Sequence, residues 1–174
     1  TYNKVFFSNA GADANETAIF FSREYFNFNN NYNKYRTLSF SKSFHGGSTF
    51  VASHISGDAR CDIKKNIYKL PLEPIMENPK IEDNGKSSLQ QIESLLLKND
   101  VSSILIEGSS GSAGCILYPP KYLKRLRNIC DRHNIILICD EVMSGWGRTG
   151  KMFAHQEADI EPDIITTAKA ITSG

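Results

Sequence analysis

Residues 134–150 read NIILICDEVMSGWGRTG, a stretch that predicts a buried strand ending on charge. The apolar run over residues 135–139 is typical of a strand that is covered on both faces of a sheet. Asp140 and Glu141 follow it directly, and the chain then becomes polar and rich in glycine. Ligands of α/β proteins gather at the carboxyl ends of strands. Asp140 is therefore the first candidate for a functional residue.

Strands and amphipathic helices are predicted to alternate on both sides of this stretch. The further strands are expected at residues 5–7, 38–40, 67–70, 104–106 and 164–166. Glu107 ends one of them on a second carboxylate. Such an alternation predicts an α/β fold, with a mainly parallel sheet and helices on both faces.

The helices are predicted from capping residues and apolar spacing. Asp13 and Glu16 match a capping box for the first helix, whose buried side is expected to hold Ala18, Phe21 and Tyr25. Ser87 or Ser88 is expected to cap a second helix over residues 88–99, after a proline-rich surface connection over residues 71–86. Pro119-Pro120 opens a third helix. The buried positions expected for the later two helices are Leu89, Ile92, Leu95, Leu96, Leu123, Leu126, Ile129 and Cys130.

Composition excludes several classes of partner. The 174 residues are 40% hydrophobic and 22% charged, with a net charge of +1. This balance gives no electrostatic reason to expect nucleic acid or an anionic membrane as partner. No apolar run approaches the ~20 residues that span a bilayer, and no signal-peptide pattern opens the chain.

The cysteines and one sequon bear on localisation. The four cysteines lack CxxC spacing, which predicts free thiols of a reducing compartment and no zinc site. Asn15-Glu16-Thr17 matches a glycosylation sequon, but it falls at a helix start and nothing else is typical of a secreted protein. We expect a cytoplasmic protein, although an organellar targeting segment could be missing from the sequence.

An ATPase is one explanation for acids after an apolar strand. GWGRTGK (145–151) fits most of a P-loop. However, Met152 stands where a magnesium-binding hydroxyl is required, and the loop follows the acids instead of joining a strand to a helix. The glycines are better explained by a turn.

A protonated pyridine ring offers another explanation. Pyridoxal phosphate (PLP) requires a carboxylate at its ring nitrogen, a lysine, a phosphate site and a flat group against its ring. Gly11 and Ala12 precede a helix whose free N–H groups suit a phosphate. Phe44 lies in a glycine-bearing loop and could stack on the ring, and Lys169 follows the last predicted strand. Each residue alone also fits a plain turn, core or surface position, so the prediction depends on their combination.

Five segments together resemble the class III (omega-type) aminotransferases of PLP fold type I. They cover nearly the whole chain in the family's order, and Lys169 follows Asp140 at the family's spacing. The segments are FFSNAGADANETAI (6–19), SFHGG (43–47), IEGSSGSAG (106–114), ICDEVMSGWGRTGKMFA (138–154) and PDIITTAKAITSG (162–174).

The resemblance implies two catalytic residues. Lys169 resembles the Schiff-base lysine, whose freed amine is expected to act as general base. Asp140 resembles the aspartate on the pyridine nitrogen. The reaction implied is transfer of an amino group from an amine or omega-amino acid to a 2-oxo acid such as pyruvate. An aminomutase or decarboxylase of the same fold, or a non-catalytic fragment, remain open alternatives.

The resemblance also implies the residues that bind the cofactor. Val142 and Phe44 resemble the residues on the two faces of the ring, and Gly11 with Ala12 resembles the phosphate-binding pair. The remaining positions implied are His45, which follows the stacking aromatic residue, and Glu107, which lies beside the cofactor.

The chain departs from the family pattern at a few positions and in extent. Ala12 lacks the hydroxyl that the family often has there, Gly108 stands where proline is common, and Ala170 replaces a glycine. The resemblance implies that residues 1–174 are a partial PLP-binding large domain, similar to that of aspartate aminotransferase. The family's N-terminal segment and C-terminal small domain would then be absent. A homodimer is implied for the full-length protein, and residues 1–174 alone are expected to be inactive.

Overall fold

A parallel five-stranded sheet forms the centre of the computed structural model, which describes residues 2–61, 75–76, 78–80 and 82–172. All neighbouring strands pair in parallel, in the order β2-β1-β3-β4-β5. The strands are β1 (Arg36–Phe40), β2 (Ile75–Met76), β3 (Val101–Glu107), β4 (Ile136–Asp140) and β5 (Ile164–Thr166).

Helices cover both faces of this sheet, as the sequence predicted. They are α1 (Gly11–Phe28), α2 (Phe50–Ile55), α3 (Lys86–Leu96) and α4 (Pro120–His133), with 3-10 turns at Ala59–Cys61, Ala154–Ala158 and Lys169–Thr172. The larger apolar core joins α3 and α4 to one face, and a smaller core joins α1 and α2 to the other. Within the described ranges, no helix is long and apolar enough to cross a membrane.

The strand order reverses within the sheet, and we call the side of the sheet formed by the carboxyl ends of the strands the binding edge. From β1 the chain crosses to β2 on one side, and it returns to β3 on the other side of β1. Such a reversal is where open α/β sheets bind ligands, outside the carboxyl ends of the strands. Glu107 and Asp140 are paired at this edge, at the ends of β3 and β4.

The predicted strand over residues 5–7 is wrong. This segment has no strand pairing, and Val5, Phe6 and Phe7 are largely exposed. Apolar residues alone do not make a strand, because a strand also needs a neighbour to satisfy its backbone groups. Phe6 instead packs edge-on against Phe21, with ring centroids 5.3 Å apart.

The predicted start and buried face of α1 also differ from the structure. The helix starts at Gly11 after the N-cap Ala10, and Asp13 accepts the N–H of Asn9. Glu16 instead accepts the N–H of Val51 at the start of α2, at 3.0 Å. The face of α1 that packs on the sheet carries Asn15, Ala18, Ile19, Ser22 and Phe26, while Phe21 and Tyr25 are exposed.

Smaller differences concern β2 and α3. The strand predicted over residues 38–40 is confirmed within β1, where Leu38, Ser39 and Phe40 are all buried between helices on both faces. The connection expected over residues 71–86 contains the short edge strand β2. Helix α3 begins at Lys86, earlier than predicted, and Asp83 accepts the N–H of Ser87 at its start. The strand predicted over residues 67–70 lies outside the described residues.

Candidate active site

Asp140 lies at the end of β4 with its carboxylate almost fully buried. One carboxylate oxygen, Oδ2, accepts hydrogen bonds from Asn15 at 2.7 Å and, with the proton on the imidazole, from His45 at 2.8 Å. The other oxygen, Oδ1, accepts the N–H of Val142 at 3.0 Å. These contacts hold a charge in a fixed orientation at the binding edge of the sheet.

Asn15 is a site residue that the sequence analysis missed. Its side chain lies in the second turn of α1, where it also donates to the carbonyl of His45 at 2.8 Å. Thr166, at the end of β5, donates to the Asn15 amide oxygen at 2.6 Å. A polar residue on the sheet-facing side of α1 is the signal that could have found it. The buried amide also has no room for the glycan that the sequon suggested.

His45 and Phe44 lie in the loop after β1. The His45 ring is buried against Asp140, and its Nε2 atom has no hydrogen-bond partner among the described residues. Phe44 is half-buried, and the guanidinium carbon of Arg60 lies 4.5 Å from the centroid of its ring. An aromatic ring therefore lies near the carboxyl end of β1, and its stacking on the cofactor stays a prediction.

The N-terminus of α1 is packed tightly against this loop. Gly46 has a φ of 129°, and a Cβ built there would lie 2.3 Å from the Cβ of Ala12. Only glycine permits both that backbone conformation and that approach. The N-cap Ala10 makes no side-chain cap, so backbone N–H groups in the first turn of α1 remain available for an anion.

Gly11 brings two distant segments to the same place. A Cβ at Gly11 would lie 2.9 Å from a methyl carbon of Val142 and 3.4 Å from the Cβ of Ala168. Lys169, the next residue, is exposed and has a φ of 51°, which is uncommon for a residue other than glycine. Across the described part of the chain, no hydrogen bond or ion pair holds its amino group.

Glu107 supplies a second buried carboxyl group beside Asp140. Ser110 donates to it at 2.7 Å. Burial raises the pKa of Glu107 to about 7, and the charge of Asp140 adds to this effect. His45 and hydrogen bonds from Ser110 and the Phe44 backbone oppose it. Glu107 can therefore exchange a proton near neutral pH.

Glu141 points away from Asp140 and ties down the loop that follows β4. It accepts hydrogen bonds from the Ala154 N–H, the hydroxyl of Ser144 and both the backbone and Nδ1 of His155. Burial alone would raise the pKa of Glu141, but the hydrogen bonds from His155, Ser144 and Ala154 hold it below its usual range. Gly108 leaves space for this cluster, because a Cβ there would lie 2.5 Å from the Glu141 carboxylate.

The residues present suit PLP. Oδ1 of Asp140 has capacity for another donor, and the first turn of α1 offers N–H groups to a phosphate. Phe44 and Val142 provide apolar surface, and Lys169 carries an unpaired amine within the described ranges. The structure thus places the predicted residues at one edge of the sheet. Which of them touch the cofactor stays a prediction, and none of the described residues forms a cluster that could hold a metal ion.

Known proteins resemble this chain over nearly its whole length. The family model described as aminotransferase class-III matches residues 1–174. Succinylornithine transaminase of Photorhabdus laumondii is 34% identical over 99% of this chain and 40% of its own length. An uncharacterized aminotransferase of Bacillus subtilis, YhxA, is also 34% identical, over 97% of this chain and 39% of its own.

A solved structure extends the likeness to three dimensions. The taurine:2-oxoglutarate aminotransferase of Bifidobacterium kashiwanohense, solved in complex with PLP and glutamate, superposes with a TM-score of 0.88. It is 36% identical, over 99% of this chain and 40% of that one. The chain thus spans about two fifths of the length of these relatives.

Proposed function

The chain belongs to the class-III aminotransferase family, and we propose that the protein is a PLP-dependent aminotransferase. The observation that carries this proposal is the buried Asp140 carboxylate. It is fixed by Asn15, His45 and Val142 at the binding edge of the sheet, beside the N-terminus of α1. The class III resemblance that the motifs predicted is confirmed by the family match.

The residues of this chain divide the work of the reaction. Asp140 would stabilise a proton on the ring nitrogen of PLP, and the bound cofactor would supply an electron-accepting ring. Lys169 would hold the cofactor covalently until the substrate amine displaces it, and its freed Nζ would then take the proton from the substrate carbon that carries the amino group.

The other site residues would hold the cofactor in place. The N–H groups of Gly11 and Ala12 would bind the phosphate, while Phe44 and Val142 would enclose the ring. Glu107 and His45 would complete the polar surroundings.

We propose an amine or omega-amino acid as amino donor and a 2-oxo acid as acceptor. Pyruvate is the acceptor that the sequence resemblance favours. The name of the solved relative contains a different acceptor, 2-oxoglutarate. Residues 1–174 would form part of the PLP-binding large domain, a proposal supported by their match to about two fifths of each relative. A cytoplasmic location also stays a prediction, and it is supported by four cysteines that are all free.

A donor and acceptor screen with an Asp140 variant tests the function. The full-length protein with added PLP should convert pyruvate or 2-oxoglutarate to its amino acid in the presence of omega-amino acids. Asp140→Asn keeps the shape of the side chain but loses its charge, so turnover should fall by ~10²–10³-fold while PLP remains bound. The control is Asp159→Asn, at an exposed carboxylate. Near wild-type turnover of Asp140→Asn would contradict the assignment.

We further propose that the protein works as a homodimer. The outer side of α1 carries exposed Phe20, Phe21, Tyr25 and Phe28, and Phe6 packs against this row. Contiguous apolar surface of this kind is typical of a protein interface. A second copy of the chain is the occupant that we propose for this aromatic face.

A further inference from the structure

We propose that Asn15 and Thr166 are positioning residues, which hold the Asp140 carboxylate in place and direct its free lone pair to the ring nitrogen of PLP. This inference rests on the proposed function, because it requires Asp140 to face that nitrogen. No segment of the sequence resemblance assigned a role to either residue. Three contacts that join α1, β4 and β5 support it.

The orientation of the Asn15 amide is fixed by its neighbours. One end of the side chain faces two acceptors, Oδ2 of Asp140 at 2.7 Å and the carbonyl of His45 at 2.8 Å. The amide nitrogen must lie at that end, since an oxygen there would meet two other oxygens. The amide oxygen therefore faces Thr166, whose hydroxyl donates to it at 2.6 Å.

This arrangement decides which oxygen of Asp140 is free. Oδ2 receives Asn15 and His45, and a carboxylate oxygen has two lone pairs. Oδ1 receives only the N–H of Val142 among the described residues. The remaining lone pair is therefore on Oδ1, and the Asn15 contact selects it by occupying the other oxygen.

The same contact compensates for the burial of the Asp140 carboxylate. This carboxylate is almost fully buried, and burying a charge is costly unless hydrogen-bond donors surround it. Asn15 can only donate at this end, so it supplies one of the donors that the buried carboxylate requires.

Thr166 fixes the network to the sheet. It is paired with Asp140 in the register of β4 and β5, and both residues are buried. Its hydroxyl occupies the acceptor end of Asn15, which leaves the two amide protons directed at Asp140 and His45. Side chains from α1 and β5 thereby fix the Asp140 carboxylate at the end of β4.

The first arm of the test uses the expressed protein without PLP. Hydrogen exchange of the Asn15 side-chain amide, followed by NMR, should be slow in the wild type and in Thr166→Ser, which keeps the hydroxyl. It should be faster in Thr166→Val, which has the same shape without the hydroxyl. Rapid exchange in the wild type, or equal exchange rates in all three proteins, would contradict the hydrogen-bond network between Asn15 and Thr166.

The second arm uses PLP labelled at its ring nitrogen with an NMR-active isotope. Asn15→Asp replaces the donor by a carboxylate, so two adjacent acids must share a proton. The ring-nitrogen signal should shift towards the unprotonated form, and the dissociation constant of PLP should rise about tenfold or more. Thr166→Val should shift the signal in the same direction, and Thr166→Ser should restore the wild-type signal.

Two control variants separate positioning from general stability. Ser22→Ala, in the same helix, and Thr37→Val, in β1, each remove a buried hydroxyl that is bonded to Ser103. Both should lower the melting temperature without moving the ring-nitrogen signal. A wild-type signal in Asn15→Asp and Thr166→Val, or the same shift in the controls, would overturn the inference. A wild type that binds no PLP but keeps slow Asn15 exchange would instead overturn the proposed function, and the purpose of the network with it.

Discussion

Asp140 and Glu141 are neighbours in the chain, yet the fold gives their carboxylates opposite tasks. Asp140 faces the binding edge and keeps a lone pair free for a ligand. Glu141 faces the interior of the following loop and is enclosed by donors from Ser144, Ala154 and His155. Successive residues at a strand end point to opposite sides, so one acid can serve the ligand and the other the backbone.

Glu107 should make stability depend on pH. Its pKa is raised from 4.5 to about 7 in the folded protein, so the folded state binds more protons than the unfolded state between these values. Stability from this group is then fully present below about pH 4.5 and is lost as pH rises through about 7, by up to about 3 kcal/mol. In urea denaturation, the free energy of unfolding should fall less between pH 5 and pH 8 in Glu107→Gln than in the wild type.

Glu24→Gln, at an exposed carboxylate of α1, is the control for this measurement and should follow the wild type. An unchanged pH dependence in Glu107→Gln would show that Glu107 is already ionised in the folded protein at pH 5.

Among the individual residues, the sequence predicted Asp140 but not its partner Asn15. An acid after an apolar strand is visible in one short stretch. The Asn15 contact joins residues that are 125 positions apart, and it depends on which side of α1 meets the sheet. That side was assigned from the aromatic residues, which the structure leaves exposed.

The loop between β4 and the 3-10 turn at Ala154–Ala158 is held by one buried carboxylate. Glu141→Gln removes the charge and leaves donors from Ser144 and His155 poorly satisfied, which should cost about 3 kcal/mol of stability. The loop should then open locally, and trypsin should cut after the exposed Arg148 and Lys151.

The rate of trypsin cleavage measures this opening. Glu157→Gln, at an exposed position of the same 3-10 turn, should cleave like the wild type. Equal cleavage rates for Glu141→Gln and Glu157→Gln would show that the Glu141 cluster does not restrain the loop.

Helix α4 and strand β3 were predicted well. The apolar residues of α4 face a single core, and those of β3 are covered on both faces of the sheet, so pattern and packing agree. The segment over residues 5–7 and the face of α1 were mispredicted because both carry aromatic residues that remain exposed in the described part of the chain. Apolar pattern predicts burial, but it does not say whether the partner belongs to the same chain.

For the whole molecule, the aromatic face of α1 should determine the oligomeric state. Phe20→Ser with Phe28→Ser removes two of its most exposed rings. In sedimentation velocity, the wild type should sediment as a dimer and the double variant should shift towards monomer, because less apolar area is buried on association. Leu97→Ser, at an exposed residue after α3 on the other side of the sheet, is the control.

An unchanged sedimentation coefficient in the double variant would place the subunit contact elsewhere. A monomeric wild type would contradict the proposed dimer itself.

We propose that segments distant in the chain converge to bind PLP through Lys169. Reduction of the PLP-loaded protein with borohydride fixes the cofactor to the amine that holds it, and peptide mass mapping then identifies that residue. We expect the pyridoxyl group on Lys169, within the peptide that follows β5. A pyridoxyl group on Lys151 or any other lysine, with Lys169 unmodified, would contradict it.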